Sequence, residues 1–199
     1  MNHPSKREFF DKEACGWDDR YHQEDKLELQ KLVDRFDLRS GECVLDLGTG
    51  NGILIPYLLR KVKKKGKVVG VDFSWNMVRG ATKASIEENF CLVNASVEAL
   101  PMKGQTFDCT TCLDTFAHVD DKKEALNEMG RILKERGRLY IVHTLGKKEL
   151  ADRHKEIGGV VQNDVLPPDW KMRAMMKQAG LRDIHFIDQQ DLYMVSAKK

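Results

Sequence analysis

The sequence predicts an α/β protein whose mostly parallel sheet is covered by helices on both faces. Three observations carry that prediction. Short apolar runs of strand length alternate with segments of helical periodicity. A glycine-punctuated turn joins the first such strand to a helix, and the chain closes on two strands of alternating pattern. At 199 residues the chain is most simply one domain with room for a proper core.

Residues 6 to 40 precede the first strand. Phe9-Phe10-Asp11-Lys12-Glu13-Ala14-Cys15-Gly16-Trp17-Asp18 leads to an amphipathic helix carrying Leu27, Leu29, Leu32, Val33 and Phe36, and the Arg39-Ser40-Gly41 turn follows. Val44-Leu45-Asp46-Leu47 then reads as a buried parallel strand, broken by Gly48-Thr49-Gly50-Asn51-Gly52. Glycine at 48, 50 and 52 allows positive φ and close approach of a ligand. Ile53, Leu54, Ile55, Tyr57, Leu58 and Leu59 form the next helix, with Pro56 in its first turn, where a missing N–H costs little. The second strand, Val68-Val69-Gly70-Val71, ends in Asp72.

A dinucleotide site calls for G-x-G-x-x-G with pyrophosphate on the helix N-terminus. This chain has G-x-G-x-G, with Asp46 two residues before the first glycine. That carboxylate would repel a pyrophosphate and suits a cationic, phosphate-free ligand. Asp72, at the next strand end, can accept both ribose hydroxyls of a nucleoside. The alternative is a glycine-rich turn that binds nothing.

After Asp72, Ser74 is placed as the N-cap of a helix whose Met77, Ala81 and Ala84 face inward. Phe90-Cys91-Leu92-Val93 is the third strand, followed by Asn94-Ala95-Ser96-Val97. The fourth runs from Thr106 into Leu113-Asp114-Thr115-Phe116-Ala117-His118. Asp121 to Glu124 has capping-box spacing and opens the helix of Ala125, Leu126, Met129, Ile132 and Leu133, which Gly137 closes. Arg138 to His143 is the fifth strand. A polar helix over Lys147–Ile157 stops at Gly158-Gly159, and Pro167-Pro168 precedes a helix from Trp170 to Ala179. Leu181–Ile187 and Asp191–Ala197 are the closing strands.

Composition excludes several classes. With 41% apolar and 32% charged residues the chain is an ordinary soluble globular protein. No apolar run approaches the roughly 20 residues that span a bilayer, and Met1–Asp11 has no secretory h-region, so the expectation is a cytoplasmic protein without a membrane partner. A net charge of +2 leaves no nucleic-acid footprint. The basic cluster from Lys61 to Lys67 reads as a solvated helix end. Five cysteines, an odd count, argue for free thiols. Cys109 and Cys112, three apart on a strand, point to opposite faces and do not readily share a metal or a disulfide.

The glycine turn with Asp46 and Asp72, and the order of elements around it, resemble the class I S-adenosylmethionine-dependent methyltransferases, in particular the small-molecule "type 11"-like branch. The resemblance covers residues 9 to 199. It implies a Rossmann-like, seven-stranded, mostly parallel sheet with a C-terminal antiparallel hairpin. One domain would divide into an N-terminal lid and helix (1–40), a cofactor-binding core (41–144) and a substrate-covering excursion with closing hairpin (145–199).

The resemblance also implies the cofactor, S-adenosylmethionine, and its product, S-adenosylhomocysteine. Asp46, Gly48, Thr49, Gly50, Asn51, Gly52 and Asp72 would hold it, with Phe73 and Met77 beside the adenine. Ser96 stands where the family usually has an Asp for the adenine amino group, and Val97 N–H would serve the ring nitrogen. Trp17 and Tyr21 are candidates for a lid, against plain packing. Asp114 also lies at a strand end.

The expected reaction is in-line methyl transfer to a small-molecule acceptor, with no separate metal and no nucleic-acid partner, by a monomer or homodimer. Leu113-Asp114-Thr115-Phe116 replaces the N-P-P-Y of amino-methylating DNA enzymes, and there is no Pro-Cys nucleophile for cytosine chemistry. The alternatives are a nucleoside-binding sensor without turnover, or a nucleic-acid or protein methyltransferase. His118, His143 and His154 are read as the acceptor side of the pocket, with His143 as base. Three imidazoles could instead hold a metal, or each be separately hydrogen-bonded.

Overall fold

The computed structural model describes residues 5–16, 23–84 (backbone alone at 23–26) and 88–199. The elements in chain order are α1 (Lys6–Glu13), α2 (Gln23–Asp34), β1 (Cys43–Leu47), α3 (Ile55–Val62), β2 (Lys67–Asp72), α4 (Trp75–Ala81), β3 (Phe90–Asn94) and β4 (Phe107–Leu113). They continue with α5 (Lys122–Ile132), β5 (Leu133–His143), α6 (Lys147–Ile157), α7 (Asp169–Gln178), β6 (Arg182–Gln189) and β7 (Leu192–Lys198). The strands form one seven-stranded sheet in the order β3-β2-β1-β4-β5-β7-β6. Pairs among β1 to β5 are parallel, and β7 lies antiparallel between β5 and β6. This is the Rossmann-like, seven-stranded sheet with a closing antiparallel hairpin that the resemblance implies.

The central strands are apolar on both sides because helices cover both sides. Val44, Val68, Cys109, Tyr140 and Val142 pack under α2 and α3, against Leu29, Leu32, Val33, Leu58 and Val62. Leu45, Val71, Cys112, Leu139 and Ile141 face the other way, onto Leu126, Met129 and Ile132 of α5 and Met172 and Met176 of α7. Cys109 and Cys112 are thus on opposite faces of β4, each buried among hydrocarbon, which raises both thiol pKa values.

From β1 the chain steps outward to β2 and β3, then returns to place β4 on the far side of β1. Order reverses at β1/β4, and a crevice opens at the carboxyl ends of these strands. No helix among the described residues is long and apolar enough to cross a membrane.

Three local expectations are corrected. Leu27 is 56% exposed, whereas Leu29, Leu32, Val33 and Phe36 are buried. Those four keep the i, i+3, i+4, i+7 stripe, and Leu27 falls nearly opposite it. Helix α5 ends at Ile132, short of Gly137. Leu133 is extended and pairs with Phe107, while Gln105 N–H and Thr106 N–H donate to the carbonyls of Arg131 and Ile132. Those carbonyls at the helix end are satisfied by the incoming strand. On α6, the i, i+4, i+7 spacing predicts one inward face for Leu150, His154 and Ile157; Leu150 and His154 are buried, but Ile157, in the last turn, is exposed.

Helices α5 and α7 meet through a glycine. A Cβ on Gly130 would lie 2.1 Å from the carbonyl oxygen of Ala179, a backbone atom that cannot rotate away. Gly130→Ala is therefore expected to cost about 1–3 kcal/mol through forced separation of the helices, despite the better helix propensity of Ala. Urea denaturation checks this, and an unchanged midpoint would show that the α5–α7 contact is looser than described.

Candidate active site

The crevice is a cleft with about 970 Å³ of empty space, part of it open solvent. Its floor is the glycine turn. Gly48, Gly50 and Gly52 have φ of +66°, +55° and +83°, the left-handed conformations that glycine adopts without strain. A side chain at 48 would strike Thr115, because the β4–α5 connection crosses directly above the turn.

Asp46 and Asp72 occupy the two strand ends as expected. Asp46 is 2% exposed; its two oxygens accept hydrogen bonds from Thr49 Oγ1 and Thr111 Oγ1, both at 2.8 Å. Thr111 can reach it because β1 and β4 pair Asp46 with Thr111. Asp72 accepts from Gly50 N–H and Ser74 N–H, each at 2.9 Å, and so ties the glycine turn to the start of α4. Burial pushes both carboxyls up to about 6, against the lowering effect of these hydrogen bonds.

Of the other residues singled out from the sequence, Gly48, Thr49, Gly50, Phe73, Ser96, Val97, Asp114 and His118 line the cleft. Asn51, Gly52, Met77, His143 and His154 do not. Asn51 Nδ2 donates to the Ala14 carbonyl, anchoring the N-terminal segment. A side chain on Gly52 would strike Ala84, so this glycine serves packing behind the turn. Met77 is buried behind Phe73 with Phe10, Ala14 and Val161. Trp17 and Tyr21 lie outside the described residues.

The histidine assignment changes most. His118 lines the cleft, and its Nδ1 is 2.7 Å from Asp164 Oδ2. His154 lies behind it, ring centroids 4.7 Å apart and planes tilted by 45°, with Nδ1 2.6 Å from the Asp164 carbonyl oxygen. His143 is wholly buried beneath, with Asp114 Oδ1 3.6 Å from its Nδ1 and no hydrogen bond to either ring nitrogen among the described residues. Burial, reinforced by His118, His154 and Lys122, pushes its pKa down to about 3. An imidazole so acidic and so enclosed neither reaches a ligand nor holds a proton near neutrality, and the reading of His143 as base is corrected. His154 is likewise removed from the acceptor side. The described residues contain no cluster of three or more His, Cys, Asp or Glu arranged to hold a metal.

Several lining residues escaped the sequence reading. Phe10, in the aromatic segment predicted to contain a lid, packs edge-on against both Phe73 and His118, at 5.7 and 5.1 Å between centroids. Lys6 reaches across from α1 to the carbonyl of His118 and the carboxylates of Asp120 and Asp164. Asp11 accepts from Ser74 Oγ and Asn76 N–H, so α1 is latched over the cleft at both ends. Glu98 places a carboxylate beside Ser96, whose hydroxyl donates to it at 2.9 Å. A carboxylate two residues beyond a serine was the available signal for Glu98; the contacts of Lys6 span more than a hundred residues and left none.

The donor set suits S-adenosylmethionine. Among the described residues, Asp46, Asp72, Glu98, Asp114 and Asp120 line the cleft, against Lys6 alone of the lysines and arginines. This acceptor-rich, negative enclosure favours a cation bearing hydroxyls and disfavours a phosphate. Phe73 and Ile53 offer apolar surface for a base.

Comparison with known proteins agrees. A family model described as a methyltransferase domain matches residues 45–141. The ubiquinone/menaquinone biosynthesis C-methyltransferase UbiE of Enterobacter sp. (strain 638) is 32% identical over 78% of this chain and 72% of its own length. That of Escherichia coli (strain K12 / DH10B) is 33% identical over 77% and 72%. An S-adenosylmethionine-dependent methyltransferase from Aquifex aeolicus superposes with a TM-score of 0.71 at 26% identity, covering 86% of this chain and 89% of that one. A chain from the complex of the Haloferax volcanii Trm112 methyltransferase activator with its methyltransferase gives 0.77 at 19% identity, covering 100% and 98%.

Two predictions follow from the carboxyls and the buried imidazole. A bound cation favours ionised Asp46 and Asp72, whose pKa values burial raises to about 6. The affinity for S-adenosylmethionine should be level above about pH 7 and fall as pH drops through 6, with proton release on binding near pH 6. Calorimetry in two buffers of different ionisation enthalpy checks this; a flat affinity from pH 7.5 to 5 would remove both carboxylates from binding. For His143 the folded pKa, about 3, lies below the ordinary 6.5. The unfolded chain therefore takes up the proton first, and stability present above pH 6.5 is lost as pH falls toward 3. His143→Leu should make melting temperature fall less steeply over that window, whereas parallel curves for variant and wild type would show that His143 is solvated.

Proposed function

This chain belongs to the class I S-adenosylmethionine-dependent methyltransferases, and we propose that its methyl acceptor is a small molecule enclosed between the cofactor and helix α1. The observation that carries this reading is the roof. Lys6, Phe10 and Asp11 fasten α1 across the cleft, so access to the reacting end is limited to a ligand of small size. A nucleic-acid strand or a protein side chain would need an open face there. The relatives named as C-methyltransferases of ubiquinone/menaquinone biosynthesis point the same way.

When bound, the cofactor supplies an activated methyl on a sulfonium. What this chain contributes is placement. Asp72 presents acceptors for vicinal hydroxyls while pinning Gly50, so the floor is fixed before the ligand arrives. Asp46, held by two threonines, supplies negative charge at the turn. Ser96 and Glu98 offer acceptors for an exocyclic amine, and Phe73 and Ile53 cover the base. Asp114, whose φ is +46° and whose carboxylate accepts from Thr144 N–H and Oγ1, aims the β4–α5 connection back over the turn. Alignment of this kind is worth several kcal/mol on a scale of about 7–11 for well-oriented reactions.

The test is a methyl-transfer assay with radiolabelled S-adenosylmethionine over a panel of phenols, hydroquinones, amines and thiols, with a nucleic-acid and a protein substrate beside it. Turnover of at least one small acceptor, and none of the macromolecules, is expected. Labelling of only RNA, DNA or protein would overturn the reading, and tight cofactor binding without transfer to any substrate would favour a sensor.

A further inference from the structure

We infer that Asp164 is a positioning residue for the methyl-transfer reaction, holding His118 as the tautomer whose Nε2 can take a proton from the acceptor. This rests on the small-molecule reading above. His118 and Asp164 are 46 residues apart, on the β4–α5 connection and on the loop between α6 and α7, and no motif links them. Yet Asp164 Oδ2 lies 2.7 Å from His118 Nδ1, and the Asp164 side chain is only 9% exposed. A carboxylate at that position accepts the Nδ1 proton, which leaves Nε2 unprotonated. Nε2 makes no hydrogen bond among the described residues, and the ring lines the cleft.

The carboxylate is itself held. Lys6 Nζ lies 2.7 Å from Asp164 Oδ1, and spends its other two donors on Asp120 Oδ1 and the His118 carbonyl. Burial would raise the Asp164 pKa, but the hydrogen bonds from His118 and Lys6 prevail and lower it, so the group is ionised at neutral pH. The groups facing the His118 ring are thus Lys6 and Phe10 from α1, Asp164 from the following loop, and His154 from α6. Lys6 sits on the roof helix, so the pair is complete only with α1 in place.

The balance of the step is simple. An acceptor X–H loses its proton to His118 Nε2 and keeps the electron pair of that bond on X. The X–CH3 bond forms as the S–CH3 bond breaks, and the pair from that bond returns to sulfur. The imidazolium left behind faces the Asp164 carboxylate and releases its proton to solvent through the open part of the cleft. General bases of this type contribute about 10²–10⁴-fold.

The experiment has two arms. In the first, long-range proton–nitrogen NMR of imidazole-labelled protein, with and without S-adenosylhomocysteine, reads the tautomer of His118 and needs no acceptor. The wild type is expected to be Nδ1–H, and Asp164→Ala to shift toward Nε2–H; an Nε2–H tautomer in the wild type would overturn the proposal. In the second, Asp164→Asn, which preserves shape, and Asp164→Ala are assayed on an acceptor that the wild type turns over. A fall in kcat of at least tenfold is expected, with S-adenosylhomocysteine affinity and acceptor KM within threefold. A kcat within threefold of wild type for both folded variants would overturn it. Absence of wild-type transfer to every small acceptor counts against the small-molecule reading, and the tautomer arm then decides the pair by itself.

Discussion

Two carboxylates kept from bulk water at adjacent strand ends are the constraint on which the rest of the site depends. A buried carboxylate costs free energy unless hydrogen bonds surround it, and the architecture around Asp46 and Asp72 is largely the provision of those bonds. Thr111 meets Asp46 because β4 is hydrogen-bonded beside β1. Gly50 turns its N–H toward Asp72 because it adopts positive φ, and Ser74 does so because it begins α4. The same bonds that make burial tolerable fix the glycine turn relative to both strands, so the floor of the cleft is rigid where a ligand must be aligned. Both groups still have raised pKa values, which leaves them with unspent affinity for a cation.

The second feature is how the two ends of the chain complete what the central sheet begins. Helix α1 is polar over much of its length and contributes one buried apolar side chain, Phe10. Its hold on the molecule is mostly directional. Lys6 has all three donors satisfied, Asp11 caps onto the start of α4, and the Ala14 carbonyl takes the Asn51 amide. The roof is thus held by a few polar contacts and by the small cluster of Phe10 and Ala14 with Met77 and Val161, apart from the two large clusters that flank the sheet. The loop after α6 supports the opposite side from behind, through Asp164, which holds both His118 and Lys6. The proposed division of the cleft thus follows the chain: the groups assigned to the cofactor come from β1 to β3 and the segments just after them, and those assigned to the acceptor from α1 and the β4–α5 connection.

The strand–turn–helix at residues 44–59, the N-cap at Ser74 and the opposed cysteines of β4 were legible in the sequence because each rests on local chemistry. Alternating glycines, a serine three residues before the N–H it accepts from, and the two-residue period of a strand all act within a few positions. The end of α5 was misread because the carbonyls it leaves at Arg131 and Ile132 are satisfied by residues 105 and 106, a nonlocal pairing. His143 was misread for a related reason. Its place at a strand end was right, but whether such a residue opens into the cleft or lies beneath it depends on what the β4–α5 connection and α6 lay over it.

The class of fold, the glycine turn, the two strand-end carboxylates and, through them, a nucleoside-bearing cationic ligand can all be read from the order of the residues. These follow from short-range backbone preferences and from apolar periodicity, which act on neighbouring residues whatever the rest of the chain does. Packing in three dimensions settles the rest: which histidine faces the cleft, that Asp164 contacts it, that Glu98 lies beside Ser96, and that Lys6 and Phe10 line the roof. Those contacts join residues from 2 to 158 positions apart across separate elements. Except for the short one, their geometry is set by how helices and loops pack over the sheet, and no local pattern encodes it.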